Sequence, residues 1–191
     1  MPIRGAAAGR VKLAELEETD RAQSLQRAAW YPGRLLLMLA LVAAPVFALD
    51  QLSKLCISRQ LSLYQQIVLI PHWLAITYAL NPGAAFSLFA TVPAGVRNLA
   101  LSALAAGAIV VLAILLARGR RPMPVSVAFA LIMAGAAGNL VDRLTRGRVI
   151  DFIYVHYYAW SYPVFNLADS AITIGVAIIV VLSIVQRDDQ G

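Results

Sequence analysis

Four aspartates are the residues of this sequence best suited to acid–base chemistry. Asp50, Asp142, Asp151 and Asp169 are the only acids between residues 34 and 186, because the other six of the ten acids lie nearer the two ends. Two carboxylates that share a partly dry site cannot both ionise easily, so one pKa rises above its usual value of about 3.9 and the pair titrates as a unit. Such a pair can activate water with one carboxylate while the other polarises a carbonyl group or protonates a leaving amine.

The sequence contains no competing catalytic apparatus of comparable clarity. It has neither a GxSxG motif nor a Walker loop, and His72 and His156 lie far apart without the HExxH spacing of a zinc protease. A single cysteine, Cys56, excludes an internal disulfide and a CxxC metal or redox site. We therefore expect no metal and no other cofactor.

The surrounding sequence is strongly apolar. Of its 191 residues 60% are hydrophobic and 14% are charged, and the mean hydropathy is +0.73, whereas an ordinary soluble domain is about 25% charged. These values exclude a disordered chain, a coiled coil and a typical soluble enzyme. An ionised side chain in lipid costs about 2.5–3.5 kcal/mol on insertion scales, so carboxylates in such a chain indicate a function. The net charge of +6 is then typical of contact with anionic lipid rather than with nucleic acid.

Four uncharged stretches have the lengths of membrane spans. They are residues 35–49, 98–117, 122–141 and 170–186, of which the first can continue as helix to residue 54. Because a span needs about 20 residues, we predict four transmembrane helices, the first and last including a polar turn. Pro45 should kink the first helix, which neighbouring helices can accommodate.

The charges of the connections predict the orientation of the spans. Arg118, Arg120 and Arg121 lie between the second and third spans, and other arginines precede the first span and follow the last. The positive-inside rule places that connection and both termini in the cytoplasm. All four aspartates then lie at outer helix ends and converge on one shallow site. The arginines that break the rule, and that we expect to pair with carboxylates or lipid phosphate, are Arg143, Arg146 and Arg148.

The two outer connections are predicted to differ in structure. Residues 65–70 and 74–80 have the composition of short apolar strands, and 83–89 of a third, which predicts a small curled β-sheet within about residues 59–96. Residues 142–166 are rich in aromatic side chains and are predicted to form a loop or helix, either an interfacial belt or a lid over a lipid-bearing substrate. The predicted organisation is a cytoplasmic tail at 1–33, a membrane domain at 34–187 and a C-terminal tail at 188–191.

Spacing alone does not choose the reacting pair, because four aspartates make six pairs. Asp50 has Lys54 at i+4, which can partly neutralise it, and Asp142 is followed directly by Arg143, which can neutralise it or orient it. Asp151 and Asp169 have no basic neighbour so near in helical register, although Arg148 is three residues from Asp151, so they are the better candidates for the dyad of an aspartic peptidase. The alternative is a small four-helix proton-coupled transporter, but such sites lie near the bilayer midplane, and these acids lie at helix ends.

Five short motifs occur in a fixed order along the chain. They are DQLSK at 50–54, NPGAAFS at 81–87, GNLVDR at 138–143, VIDF at 149–152 and FNLADS at 165–170. Together, across residues 34–186, they resemble the motif series of lipoprotein signal peptidase, also called signal peptidase II, a bacterial membrane aspartic peptidase. Any one motif alone would be weak, whereas five in order are specific.

The resemblance implies a catalytic dyad of Asp151 and Asp169. It implies cleavage of prolipoproteins just before a lipobox cysteine that carries diacylglycerol, inhibition by globomycin, and a multi-pass location in the bacterial inner membrane with the site facing the periplasm. It implies no cofactor. The positions that it assigns to substrate binding or to support of the dyad are Asp50, Lys54, Asn81, Gly83, Asn139, Asp142, Arg143 and Asn166.

Overall fold

Four long helices make up most of the part of the chain that this computed structural model describes, which is residues 16, 18, 19, 21, 31–83, 92–118 and 121–188. They are α1 (Pro32–Gln60), α2 (Ala94–Ala117), α3 (Met123–Arg146) and α4 (Leu167–Asp188). Each contains a stretch long and apolar enough to cross a membrane, so the prediction of four helices of membrane-spanning length is confirmed. The helices extend beyond the predicted bounds mainly at the ends that carry the polar motifs. Most of the predicted tail and of the strand predicted at 83–89 lies outside the described residues.

A small antiparallel sheet lies at the end of the bundle where α1 and α3 finish and α4 begins. Its strands, in the order β1-β2-β3-β4, are β1 (Gln66–Ile70), β2 (Leu74–Asn81), β3 (Val149–Tyr157) and β4 (Trp160–Ser161). The strands predicted at 65–70 and 74–80 are confirmed.

The prediction of a loop or helix in the second connection is wrong over β3. This segment is rich in β-branched and aromatic residues, which favour a pleated surface, and β2 offers it an edge to pair with. In the resulting register Ala79 lies opposite Asp151, and Asn81 lies opposite Val149. The pairing therefore brings the Asn81 motif beside the Asp151 motif.

The first helix is irregular where proline was expected to disturb it. Residues Leu39–Ala43 form a π-helical turn that ends two residues before Pro45, and the backbone N–H of Ala44 donates to the carbonyl of Leu39. Proline has no N–H for the helical hydrogen-bond ladder, and such interruptions accompany π-bulges and bends. Beyond this turn α1 continues to Gln60, which carries its polar motif towards the sheet.

Helix α3 is the central element, because it packs against each of the other three helices. Its buried face is made largely of small residues, which let neighbouring helices approach closely. A Cβ at Gly135 would overlap the carbonyl of Ala168, and one at Gly138 would overlap the carboxylate of Asp50. Glycine at these positions therefore brings α1 and α4 against α3 beside the sheet.

Candidate active site

The four aspartates of the membrane domain meet at the sheet end of the bundle. Asp50 comes from α1, Asp142 from α3, Asp151 from β3 and Asp169 from the first turn of α4. The first three are 0%, 0% and 2% exposed, and Asp169 is half-buried. They divide into two pairs with different partners.

Asp50 and Asp142 form one pair, joined by a buried lysine. The Nζ of Lys54 lies 2.8 Å from Asp50 Oδ2 and 3.0 Å from Asp142 Oδ2, and it donates to Asn139 Oδ1 at 3.1 Å. A buried ammonium group is costly unless it is paired and hydrogen-bonded, and three acceptors match its three N–H donors. We call Asp50, Lys54 and Asp142 the carboxylate–lysine cluster.

The carboxylate–lysine cluster also holds the backbone next to the other two aspartates. Asp50 Oδ1 accepts a hydrogen bond of 2.9 Å from the backbone N–H of Ala168, the residue before Asp169. Asp142 Oδ2 accepts one of 3.2 Å from the backbone N–H of Ile150, the residue before Asp151. Each carboxylate of the cluster thus fixes one member of the second pair through the main chain.

Asp151 and Asp169, the second pair, are held by amide donors. Asp151 accepts from Asn166 Nδ2 at 2.7 Å and from Asn81 Nδ2 at 2.9 Å. Asp169 accepts from Asn139 Nδ2 at 2.8 Å and from the backbone N–H of Asn166 at 3.3 Å. Asn166 Oδ1 in turn accepts from the backbone N–H of Asp169 at 2.9 Å. Asn166 therefore connects both aspartates, which come from different elements.

The surroundings of Asp151 favour its protonated form. Burial, with the negative charge of Asp169 adding to the effect, raises the pKa of Asp151 to about 7, against the opposing hydrogen bonds from Asn81 and Asn166 and the charge of Lys54. This raised pKa lets the carboxyl group hold a proton at a higher pH than a free aspartate does. Chemically, the arrangement can both take a proton from water and give one to a substrate.

The Asn81 side chain is fixed by the turn that follows it. Gly83 has φ +82°, a conformation that favours glycine, and its backbone N–H donates to Asn81 Oδ1 at 2.8 Å. The Arg97 side chain donates to the carbonyl of Pro82 at 2.8 Å. Together these contacts direct the Asn81 amide nitrogen to Asp151.

Arg143 lies beside the second pair but does not form an ion pair with Asp142. It is half-buried, its charge acts on Asp169, Asp151 and Asp142, and its Nη1 makes a long contact of 3.5 Å to the carbonyl of Asn139. The ion-pair partners of Asp142 are Lys54 and Arg146 instead. The structure thus places all ten predicted site residues in one region, and Arg143 does not form the ion pair with Asp142 that was one of the two predictions for it.

Two contributors were not among the predicted site residues. Arg146 Nη1 lies 2.6 Å from Asp142 Oδ1, and its i+4 spacing on a helix is a signal that could have identified it. Gln51 Nε2 donates to Asp50 Oδ2 at 3.1 Å and to the carbonyl of Gly138 at 3.2 Å. The expectation that arginines of this region pair with carboxylates is confirmed for Arg146.

A concavity of about 300 Å³ opens beside Asp169. Its wall includes Tyr162 and Phe165, whose rings pack edge to face with centroids 5.8 Å apart, and it follows one side of α4 into the membrane-spanning stretch. The lining residues are Tyr162, Phe165, Asp169, Ser170, Thr173 and Ile174. Within the described ranges, no group of three or more histidine, cysteine, aspartate or glutamate residues is arranged to hold a metal ion.

This architecture matches solved bacterial membrane enzymes. One, determined by the in meso method at 2.3 Å, superposes with a TM-score of 0.71 at 27% identity over 86% of this chain and 96% of that chain. A second, determined at 1.9 Å, gives a TM-score of 0.64 at 31% identity over 82% of this chain and 96% of that chain. Four apolar helices and a cluster of buried acids below a small sheet thus define a multi-pass membrane enzyme.

Sequence relatives identify the family. The family model for signal peptidase (SPase) II matches residues 42–185. The lipoprotein signal peptidase of Pseudomonas fluorescens is 47% identical over 137 residues, which are 70% of this chain and 79% of the relative. That of Paraburkholderia phymatum is 43% identical over 140 residues, which are 73% of this chain and 82% of the relative. The chain belongs to the signal peptidase II family and is a membrane peptidase, so the resemblance found in its motifs is confirmed.

Proposed function

We propose that this protein is an aspartic endopeptidase that removes the signal peptide from prolipoproteins. It cuts just before the lipobox cysteine, after that cysteine has received diacylglycerol, and Asp151 and Asp169 are its catalytic dyad. The observation that carries the proposal is that these two carboxylates, from β3 and α4, both bind Asn166 and, among the described residues, accept hydrogen bonds only from amide groups. A pair without a neutralising cation in its hydrogen-bond shell is suited to share a proton.

The dyad acts on a water molecule that attacks the scissile carbonyl carbon. One carboxylate takes a proton from the water while the other gives its proton to the carbonyl oxygen, so that a new C–O bond forms. The C–N bond then breaks as the leaving amine of the cysteine receives a proton from one carboxyl group, while the other carboxylate takes a proton from a hydroxyl of the tetrahedral intermediate. The carbonyl group of the product re-forms, and the dyad again holds one proton. Because the pair shares one proton, the acid and base roles belong to the pair rather than to fixed residues.

Residues around the dyad have three roles. Asp50, Lys54 and Asp142 fix the backbone before each catalytic aspartate, through the contacts to Ala168 and Ile150. Arg143, whose charge lies among the acids, hydrogen-bonds the substrate backbone near the scissile bond, where a cation stabilises developing negative charge. The residues that orient the dyad carboxylates are Asn81, held by Gly83, with Asn139 and Asn166.

The site lies at the membrane depth of a lipid-anchored substrate. We place the sheet end in the periplasm, because the arginine-rich connection between α2 and α3 lies at the opposite end and such connections stay in the cytoplasm. A diacylated cysteine in the outer leaflet then has its scissile bond near the headgroups. The concavity beside Asp169 descends along α4 from that level, and we assign it to one acyl chain of the substrate.

Cleavage of defined precursors tests this function. Purified wild-type protein is incubated with a diacylated prolipoprotein and with the same precursor lacking the lipid, beside the Asp169→Asn variant. We expect cleavage of the lipidated precursor by the wild type alone and block of that cleavage by globomycin. Equal cleavage of both precursors, or near-wild-type cleavage by the variant, would contradict the proposal. Substrate efflux from vesicles without proteolysis would favour the transporter instead.

A further inference from the structure

Arg146 connects the carboxylate–lysine cluster to the protein surface. Its side chain is 38% exposed, whereas that of its partner Asp142 is 0% exposed, and Arg146 Nη1 lies 2.6 Å from Asp142 Oδ1. It lies at the last residue of α3, outside the five sequence motifs. Nothing in the dyad chemistry requires this contact directly.

The charges of the cluster are balanced only when Arg146 is included. Asp50 and Asp142 contribute two negative charges and Lys54 one positive charge, and all three are fully buried. An unbalanced buried charge is strongly unfavourable. Arg143 also acts on Asp142, but its charge lies among Asp151 and Asp169 as well. Arg146 therefore brings the buried cluster to neutrality.

The two carboxylate oxygens of Asp142 contact different groups, so the contact with Arg146 affects the orientation of the whole carboxylate. Oδ1 receives Arg146, and Oδ2 receives both Lys54 Nζ and the backbone N–H of Ile150. Fixing Oδ1 fixes the rotation of the carboxylate and so the direction in which Oδ2 points. Ile150 immediately precedes Asp151 in β3.

We propose that Arg146 is a positioning residue for the peptidase reaction, acting through Asp142 on the backbone of Ile150 and so on the placement of Asp151. The inference rests on the proposed dyad. Without Arg146, Asp142 draws Lys54 towards itself, away from Asp50 and Asn139, and loosens the amide of Ile150. The dyad spacing then varies while the substrate-binding surface stays intact, so turnover falls and substrate binding does not.

Steady-state cleavage of the diacylated precursor in detergent micelles tests this role. We expect Arg146→Gln to lower kcat by about tenfold, since displacement of reacting groups by 1 Å can cost about 100-fold, with KM within twofold of wild type. Arg146→Lys should restore most of kcat, because a single nitrogen makes the contact to Asp142. The control is Arg148→Gln, an exposed arginine two residues away, which should leave kcat and KM unchanged.

The double variant Asp142→Asn/Arg146→Gln completes the test, because its cluster is again neutral and it should fold even if Arg146→Gln does not. Its kcat should equal that of Asp142→Asn alone, since Arg146 acts only through Asp142. A wild-type kcat for Arg146→Gln, no recovery in Arg146→Lys, or an additional loss in the double variant would overturn the role of Arg146. Failure of the proposed function is distinct from these outcomes, because the wild type itself would then not cleave the precursor.

Discussion

The two pairs of aspartates at the sheet end show how one small polar site can contain a stable part and a reactive part. Asp50 and Asp142 are bound to the cations Lys54 and Arg146, which compensate their charge. Asp151 and Asp169 are bound to amides, which donate hydrogen bonds but add no charge. A cation close to a carboxylate favours its charged form, whereas a second carboxylate nearby opposes ionisation. The difference indicates that the first pair stabilises the site and that the second pair is suited to carry out the reaction.

Removing the cation from the first pair should produce the largest effect on folding. Lys54→Met leaves two fully buried carboxylates without their shared ammonium partner, and breaking a buried ion pair costs about 3–5 kcal/mol. We expect a large fall in the thermal unfolding temperature measured in detergent micelles. Leu52→Met, at an exposed position of the same helix, is the control. An unchanged unfolding temperature in Lys54→Met would remove the structural role of the first pair.

The pH dependence of cleavage should report the second pair alone. The pKa of Asp151 is raised to about 7, so above that pH Asp151 loses its proton and the dyad loses its general acid. We expect kcat/KM to fall on the alkaline side of about pH 7. A profile that stays flat from neutral to alkaline pH would mean that no proton shared by the dyad is needed.

The raised pKa of Asp151 also predicts how folding stability depends on pH. The trend is opposite to that of a salt-bridged aspartate. A carboxyl whose pKa is higher in the folded than in the unfolded state binds its proton more tightly when folded. Stability contributed by protonated Asp151 is therefore lost as the pH rises from about 4 towards 7. Asp151→Asn, which cannot titrate, should lack this slope when unfolding is measured across that range. An identical slope in the variant would assign it to other groups.

Filling the concavity beside Asp169 should have a smaller effect, and we expect that effect to be confined to substrate binding. Ile174→Trp fills its lower end, and a misfit in a hydrophobic pocket changes discrimination by about 10- to 200-fold. We expect KM for a long-chain diacylated precursor to rise by about tenfold, with a weaker effect for a short-chain one. Val181→Trp, at a similarly exposed position further along α4, should behave as wild type. Equal effects on both precursors would exclude an acyl-chain role.

The sequence was sufficient to predict the four long apolar helices and to single out the four aspartates as candidate functional residues, because charged residues are costly in an apolar chain and are easily recognised there. Spacing could not show which aspartates form which pair, because the contacts that distinguish the two pairs are long-range. Asp50 contacts Ala168, 118 positions away, and Asn81 contacts Asp151, 70 positions away. Strand β3 was missed because its aromatic residues fit a membrane-interface belt as well as a strand. Its pairing with β2 depends on a tertiary edge that local composition does not reveal.

Replacing each of the four aspartates by asparagine, one at a time, tests the contrast between the pairs most directly. For each variant the unfolding temperature and the rate of diacylated-precursor cleavage per folded molecule are measured together. We predict that Asp151→Asn and Asp169→Asn stay folded and lose at least about 10²–10⁴-fold in rate, whereas Asp50→Asn and Asp142→Asn lose stability and keep measurable cleavage. Near-wild-type cleavage by either Asp151→Asn or Asp169→Asn would contradict the assignment of the dyad.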